Sequence, residues 1–363
     1  MNIFIWMNMP SHHQSYFFDK LNEQSTLKVG YYGSVSKDRI ALGWQAKNNL
    51  KDYEIEINIK KIDSTIEKYD DYIHIVPGYG STFTRTLAKK LSRQGIIWVH
   101  WSEKSTPGIM WYKSYFIKKW YANLVNKYAL GVLAQGLQAQ QDFYRWGIDK
   151  NKNMTYLTYS IMPLNKALLL PEINHWVNGR KVFLFLGQMI TRKGVDLLIN
   201  AFAALKNDKW CMVLVGNGDK KSSYENLISK LGLKEQIKIF PFVNSKEINT
   251  VLSVADVFIL PSRNDGWGVV LNEALSLNKP LIASDMVGAA WHLIEHNING
   301  FRFMSENISE LSHYMQTYID NPELIHIHAS HAPKIYQKYS SEAMVDNLLT
   351  NLSNWLDHEK NSH

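Results

Sequence analysis

The sequence predicts an α/β protein of two domains, each a parallel sheet with helices between its strands. Three observations carry this. Short apolar, β-branched runs alternate with helical or mixed segments, which is βαβ patterning. The alternation breaks between residues 161 and 181, where Pro163, Pro171 and Gly179 interrupt it, and the domain linker is placed there. The length of 363 residues exceeds what one core normally supports, and a hydrophobic content of 45% is ample for two.

In the first half the strand-like runs are residues 2–7, 27–32, 54–59, 72–76, 96–101, 131–134 and 154–159. A second series starts at Val182 and runs to about Ser330. It opens with the strand run 182–186, the loop 187–194 and an apolar helix over 195–205, and includes the runs 210–215 and 257–260. The last helix, from residue 341 to 355, has apolar residues at 344, 345, 348, 349, 352 and 355, a stripe that must pack on something. The expected boundaries are 1–165, 175–340 and a terminal helix over 341–363.

Composition narrows the class. A single cysteine, Cys211, lies inside an apolar run and reads as a buried small hydrophobe. With no disulfide framework available, a reducing, cytoplasmic setting is expected. The first nine residues form an apolar run without a basic leader and read as a first strand, and no apolar run reaches the roughly 20 residues that a membrane-spanning helix needs.

Two strand-to-helix turns carry the chemistry. The segment 261–275, PSRNDGWGVVLNEAL, follows the strand run 257–260 and places Asp265 and Glu273 eight residues apart. Gly266, Trp267 and Gly268 are expected to supply the free amides that open the next helix, where phosphate oxygens are stabilised by N–H groups and the helix dipole. Glu273 then falls about two turns in. Taken singly, Asp265 reads as a helix cap and Glu273 as a solvated helix residue. In the second turn, Gly187 to Gly194, Arg192 offers a planar fork for phosphate oxygens and Lys193 a compact charge. Ligands of open α/β sheets bind beyond the carboxyl ends of the strands, so both turns are expected to converge on one crevice.

In order and spacing, Gly187, Arg192-Lys193-Gly194, Val215-Gly216-Asn217-Gly218, Pro261-Ser262, Asp265 with Glu273, and Ala283-Ser284-Asp285 resemble glycosyltransferase family 4. The resemblance spans roughly the second half of the chain. It implies a GT-B fold: two Rossmann-like domains facing a cleft, with the terminal helix crossing back to the N-terminal domain. It further implies a retaining transferase in which Arg192 and Lys193 hold the donor diphosphate, Glu273 the ribose hydroxyls and Asp265 the transferred sugar. Asp265 stands where relatives usually carry Glu, which changes the reach toward that sugar. Gly187, Asn217 and the 266–268 turn complete the donor contacts. The base is assigned to Phe242-Val243 or to Ser262-Arg263. Front-side attack with the leaving phosphate as base would require neither a protein nucleophile nor a metal.

The first domain gives weaker signals. His100 and Glu103 end the strand run 96–101 and are expected to face the crevice. The family resemblance implies a place for His100 near the donor sugar, and Glu103 reads either as orienting the acceptor hydroxyl or as simply pairing with Lys104. For His100 a buried, hydrogen-bonded histidine is the equal alternative. His13, in the loop after the first strand, reads as an acceptor or donor contact and is assigned to the acceptor, with an ordinary solvated loop residue as the leading alternative. No further ligand stands at metal spacing beside it, so no metal and no other cofactor is expected.

From Lys104 to Gln141 there is no acidic residue, while five lysines, Lys104, Lys113, Lys118, Lys119 and Lys127, alternate with seven aromatic rings between Trp111 and Tyr128. With a formal net charge of +7, residues 104–128 read either as an interfacial segment for an anionic membrane or as a helix whose rings fill the core. Nucleic acid is set aside, because no helix-turn-helix, zinc-finger or RNA-binding motif is present.

The expected function is therefore transfer of a hexose-type sugar from a nucleoside-diphosphate donor to a saccharide or lipid-linked saccharide, in cell-surface polysaccharide or glycoconjugate synthesis. The expected setting is cytoplasmic, peripheral to the inner face of the membrane. The competing readings are a GT-B sugar-nucleotide epimerase or phosphorylase and a non-catalytic GT-B partner subunit. The last should lack Arg192, Lys193 and Glu273.

Overall fold

The structure, a computed structural model, describes residues 1–34, 49–165, 167, 170–207, 209–243 and 247–361. The chain forms two compact units, one of Met1–Met162 with Ser340–His363 and one of Pro163–Tyr339.

The first unit is a seven-stranded parallel sheet. Its strands are β1 (Asn2–Met7), β2 (Thr26–Tyr31), β3 (Glu54–Glu56), β4 (Ile73–Pro77), β5 (Trp98–Ser102), β6 (Gly131–Ala134) and β7 (Met154–Tyr156), in the order β3-β2-β1-β4-β5-β6-β7. Strands buried on both faces lose polar alternation, and β1, β4, β5 and β6 are buried nearly throughout. The sequence overextends two strands. Past Glu56 the chain enters a short 3-10 turn at Ile59–Lys61, where the Asn58 side chain accepts from Lys60 N, and β7 ends at Tyr156.

The terminal helix, Ser341–Asn361, belongs to this unit. Its stripe of Met344, Val345, Leu348, Leu352 and Trp355 is buried. Trp355 lies so close to Gly131 that a Cβ there would come within 2.5 Å of the indole. Tyr16 donates to Glu342 Oε1 at 3.0 Å and Asn347 Nδ2 to the Tyr156 carbonyl at 2.7 Å, which fixes the helix against both ends of the first unit's chain.

The second unit has six parallel strands: β8 (Lys181–Leu186), β9 (Trp210–Val215), β10 (Ile237–Phe240), β11 (Val257–Leu260), β12 (Leu281–Ser284) and β13 (Gly300–Phe303), ordered β10-β9-β8-β11-β12-β13. Cys211 is buried in β9 and has no disulfide. The stretch expected to be a linker holds a short helix, Pro171–Val177, with proline at its first turn. This is a doubly wound GT-B architecture. In each sheet the order reverses beside the first strand, between β1 and β4 and between β8 and β11, and such switch points open crevices beyond the strand ends. No helix among the described residues is long and apolar enough to cross a membrane.

Candidate functional site

The loops leaving β8 and β11 meet at the switch point of the second unit, because these two strands pair directly. Lys193 Nζ lies 2.5 Å from Asp265 Oδ2, and Arg192 Nη1 lies 3.2 Å from Asp265 Oδ1 and 2.8 Å from the Asn264 carbonyl. Burial works to raise the Asp265 carboxyl, but the charges of Lys193 and Arg192 outweigh it and hold the group below its ordinary range. The adjacent Arg192 and Lys193 thus form one charged cluster with Asp265, 72 residues beyond Lys193.

Backbone contacts hold this turn. Asp265 N donates to the Met286 carbonyl at 3.1 Å, and Ser284 Oγ donates to the Ser262 carbonyl at 2.5 Å. A Cβ on Gly194 would stand 2.1 Å from the Pro261 carbonyl oxygen, and one on Gly288 would stand 2.2 Å from that of Gly266. Only glycine permits such approaches. The Gly187 loop is held in the same way, since a Cβ on Gly216 would meet the Gly187 oxygen at 1.8 Å and Met189 N donates to the Asn217 carbonyl at 2.8 Å.

The helix after the turn is Val270–Ser276, and a turn bond from Leu271 N to the Gly268 carbonyl leads into it. Gly268 sits at φ 92°, outside helical space, so the helix opens later than the sequence suggests. Glu273 is consequently in the first turn and not two turns in. Its carboxyl is buried, and that burial pushes it up to about 7.

Trp267 is buried, with Nε1 donating to Asn272 Oδ1 at 2.8 Å and its ring 5.5 Å from that of His292, so its side chain braces the turn from within. Arg263 grips Asp196 with two bonds of 2.7 Å and reaches Glu306 Oε1 at 2.6 Å, which makes it a strut between loops. Ser262 is fully buried. Phe242 is exposed just past β10, with Val243 buried beside it. Sequence reasoning missed Asn264, whose buried Oδ1 has no hydrogen-bond partner among the described residues.

In the first unit, His100 does not face a crevice. It is fully buried, with Nδ1 3.2 Å from Tyr121 Oη, Nε2 2.9 Å from Ser102 Oγ, and its ring set edge-on to Tyr121, Phe143 and Trp146. Burial pushes its imidazole down to about 3, so it is neutral at physiological pH. The central strand β5 alternates its side chains, and position 100 falls on the core side.

Glu103, just past β5, does line a cavity of about 380 Å³ at this unit's switch point, together with Asn8, Pro77, Gly78, Trp101 and Gln135. His13, at the start of the helix His12–Gln24, is half-buried and is not among the cavity's lining residues. Gln135 follows β6 as Glu103 follows β5, so the strand-end rule applied to Glu103 could also have found it.

The segment 104–128 is partly core and partly surface. Lys118 is buried, its Nζ 4.3 Å from the Trp111 ring centroid, and Lys104 donates to Gln138 Oε1. Ile109, Met110, Tyr112, Phe116 and Trp120 are exposed, as are Lys113, Lys119 and Lys127.

Residues 169–334 match the family model "Glycosyl transferases group 1". An α-D-kanosaminyltransferase from Streptomyces kanamyceticus is 30% identical over 175 residues, 47% of this chain and 45% of that protein. The amylovoran biosynthesis glycosyltransferase AmsK of Erwinia amylovora is 30% identical over 126 residues, 32% of this chain and 31% of that protein. The chain thus spans half or less of the length of these curated relatives. Among solved structures, Anabaena Alr3699/HepE in complex with UDP aligns at a TM-score of 0.76 and 18% identity, covering 98% of this chain and 100% of that one.

Proposed function

We propose, on the premise that residues 169–334 form a domain of the group 1 glycosyl transferases, that this protein transfers a sugar from a nucleoside diphosphate to a saccharide hydroxyl with retention. The observation that carries the reading is the cluster of Arg192 and Lys193 on Asp265 at the switch point of the second unit, with the buried Glu273 in the following helix. Two cations suit a diphosphate, and a nearby carboxylate suits sugar hydroxyls. As the sugar–phosphate bond breaks, charge grows on the leaving diphosphate. Arg192 and Lys193 would stabilise it, and a partly buried setting strengthens that effect. Asp265 would hold the transferred sugar, Glu273 the ribose hydroxyls, and Asn264 Oδ1 would accept from a donor group of the nucleotide sugar.

UDP is the favoured nucleotide, since HepE was solved with UDP and with UDP-glucose. The two cations also make a metal unnecessary for charge neutralisation, and Glu103 would orient the acceptor hydroxyl. The acceptor is lipid-linked or part of a surface polysaccharide, which agrees with the amylovoran role of AmsK and with the exposed apolar and basic face at 109–127. That face would rest on the cytoplasmic leaflet. A screen of UDP-, GDP- and other sugar nucleotides for thermal stabilisation and turnover, with and without EDTA, tests the reading. Turnover that EDTA abolishes and magnesium restores would remove the metal-free mechanism, and absence of stabilisation by every nucleotide sugar would remove the transferase.

A further inference from the structure

We infer that Arg263 is a positioning residue for the donor diphosphate: it acts through Arg192 and Lys193, setting where they stand relative to Asp265, and not through a contact of its own with the donor. This rests on the transferase reading and deepens it.

The Arg263 guanidinium is saturated. It carries five N–H donors, and each has an acceptor. Nε donates to Glu306 Oε1 at 2.6 Å, Nη1 to Asp196 Oδ1 at 2.7 Å and to the Thr191 carbonyl at 2.9 Å, and Nη2 to Asp196 Oδ2 at 2.7 Å and to Glu306 Oε2 at 3.3 Å. No N–H is left over for a phosphate. Burial works to raise the Asp196 carboxyl, but the bonds and charge of Arg263 outweigh it and hold the group below its ordinary range, so the fork between them is charge-assisted. Arg192 differs. Among the described residues its side chain bonds through Nη1 alone, which leaves Nε and Nη2 for a ligand.

The five bonds land on the segments that carry the site. Thr191 precedes Arg192, Asp196 follows Lys193 by three residues, and Arg263 N donates to the Arg192 carbonyl at 2.8 Å. Arg263 itself stands two residues before Asp265. It therefore spans the same two turns as the ion pair between Lys193 and Asp265. A diphosphate that draws Lys193 and Arg192 from Asp265 breaks those side-chain links between the turns, while the bonds of Arg263 stay closed. Glu306 ties in the loop after β13. Its backbone is held at φ 68°, a conformation costly for a residue with a side chain, so this loop presents its carboxylate to Arg263 against local preference. Without the strut, a phosphate would have to order the two cations itself, which costs about tenfold in affinity.

The test uses the full chain, with UDP and uridine as probes in saturation-transfer NMR and amide hydrogen exchange as a readout that needs no ligand. Arg263→Gln, at a temperature where it is folded, should bind UDP about tenfold more weakly and uridine within about twofold of wild type. Exchange should quicken by about tenfold or more over residues 190–196 while the strand 210–215 keeps its protection. Unchanged UDP affinity would reduce Arg263 to a structural tie, and equal losses of UDP and uridine would make it a direct contact of the nucleoside. Either result, or unchanged exchange over 190–196, would overturn the inference. Should Arg263→Gln fail to fold, Glu306→Gln opens only the outer arm of the strut and decides by the same readouts, with an expected loss of about threefold for UDP and none for uridine. Wild type that does not bind UDP would strike the transferase reading instead, and the exchange result still decides whether Arg263 sets the turn.

Discussion

Lys193 and Asp265 are each other's closest ionic partners, 2.5 Å apart between side chains that are 13% and 12% exposed. The ammonium proposed for the diphosphate and the carboxylate proposed for the sugar are therefore one ion pair. Any phosphate that engages Lys193 competes with Asp265 for it, and capture of the diphosphate would release the carboxylate toward the sugar. In a partly buried site that competition is large, because water screens it poorly.

The first expected outcome follows directly. Asp265→Asn removes the competitor and should tighten UDP binding about tenfold, worth about 1.4 kcal/mol. Sugar transfer should fall by about a hundredfold or more, since the sugar loses its carboxylate. Calorimetry with UDP and a turnover assay separate the two effects. UDP binding that weakens in the variant would show that Asp265 supports the diphosphate and does not compete with it.

Glu273 gives a pH signature. Its carboxyl titrates at about 7 in the fold because it is buried, against about 4.5 when unfolded. Below pH 4.5 it is protonated in both states and costs nothing. Between about 4.5 and 7 the unfolded state alone releases its proton, so the fold loses stability as pH rises. Above 7 the loss is complete, on the order of 3 kcal/mol. Glu273→Gln should therefore raise the melting temperature by several degrees at pH 8 and leave it nearly unchanged at pH 4.5. An ionised Glu273 is also the better acceptor for ribose hydroxyls. UDP-glucose affinity should rise from pH 6 to pH 8 in the wild type and stay flat in the variant, and a pH-independent wild type would remove Glu273 from the ribose.

Much of the fold was legible because strands buried on both faces in a parallel sheet read as continuous apolar runs. The runs at Val257–Leu260 and Trp210–Val215 coincide with β11 and β9. The convergence of the two turns was legible too, given that β8 and β11 flank a switch point. What a strand end does not reveal is the side on which a side chain falls. His100 and Glu103 are three residues apart, yet one is sealed among aromatic rings and the other lines a cavity. Nor does composition reveal that Lys118 turns inward to lie over Trp111, or that Arg263 is spent on Asp196 and Glu306. Each is settled by a partner far away in sequence.

His100 should behave as core. His100→Ala removes a buried ring and leaves Tyr121 Oη and Ser102 Oγ short of a partner. A loss on the order of 3 kcal/mol of stability is expected. At a temperature where the variant is folded, its turnover per folded molecule should stay within about threefold of wild type, with the same pH profile. A drop of a hundredfold in turnover with intact folding would restore His100 to the reaction.

The membrane face can be tested with the inward lysine left alone. Phe116 is 83% exposed, Ile109 and Tyr112 each 73% and Met110 62%, large apolar side chains left in solvent on the helices Ile109–Lys113 and Tyr115–Tyr128. Lys113, Lys119 and Lys127 are exposed on the same helices, and no acidic residue lies between positions 104 and 141 to cancel their charge. Each lysine near an anionic leaflet is worth about 1 kcal/mol, so reversing all three to glutamate should lower partition onto phosphatidylglycerol vesicles by at least tenfold. Phe116→Ser with Trp120→Ser should weaken binding to the same vesicles by removing the inserted area, and raised salt should weaken the wild type because exposed charges are screened beyond about 8 Å. Lys118→Glu is the control that distinguishes surface from core. It should unfold the first unit or depress its melting temperature, because it buries a carboxylate among Trp111, Tyr79 and Trp146. Wild-type protein that ignores anionic vesicles at low salt would assign the exposed rings to some other contact and leave the acceptor free of the membrane.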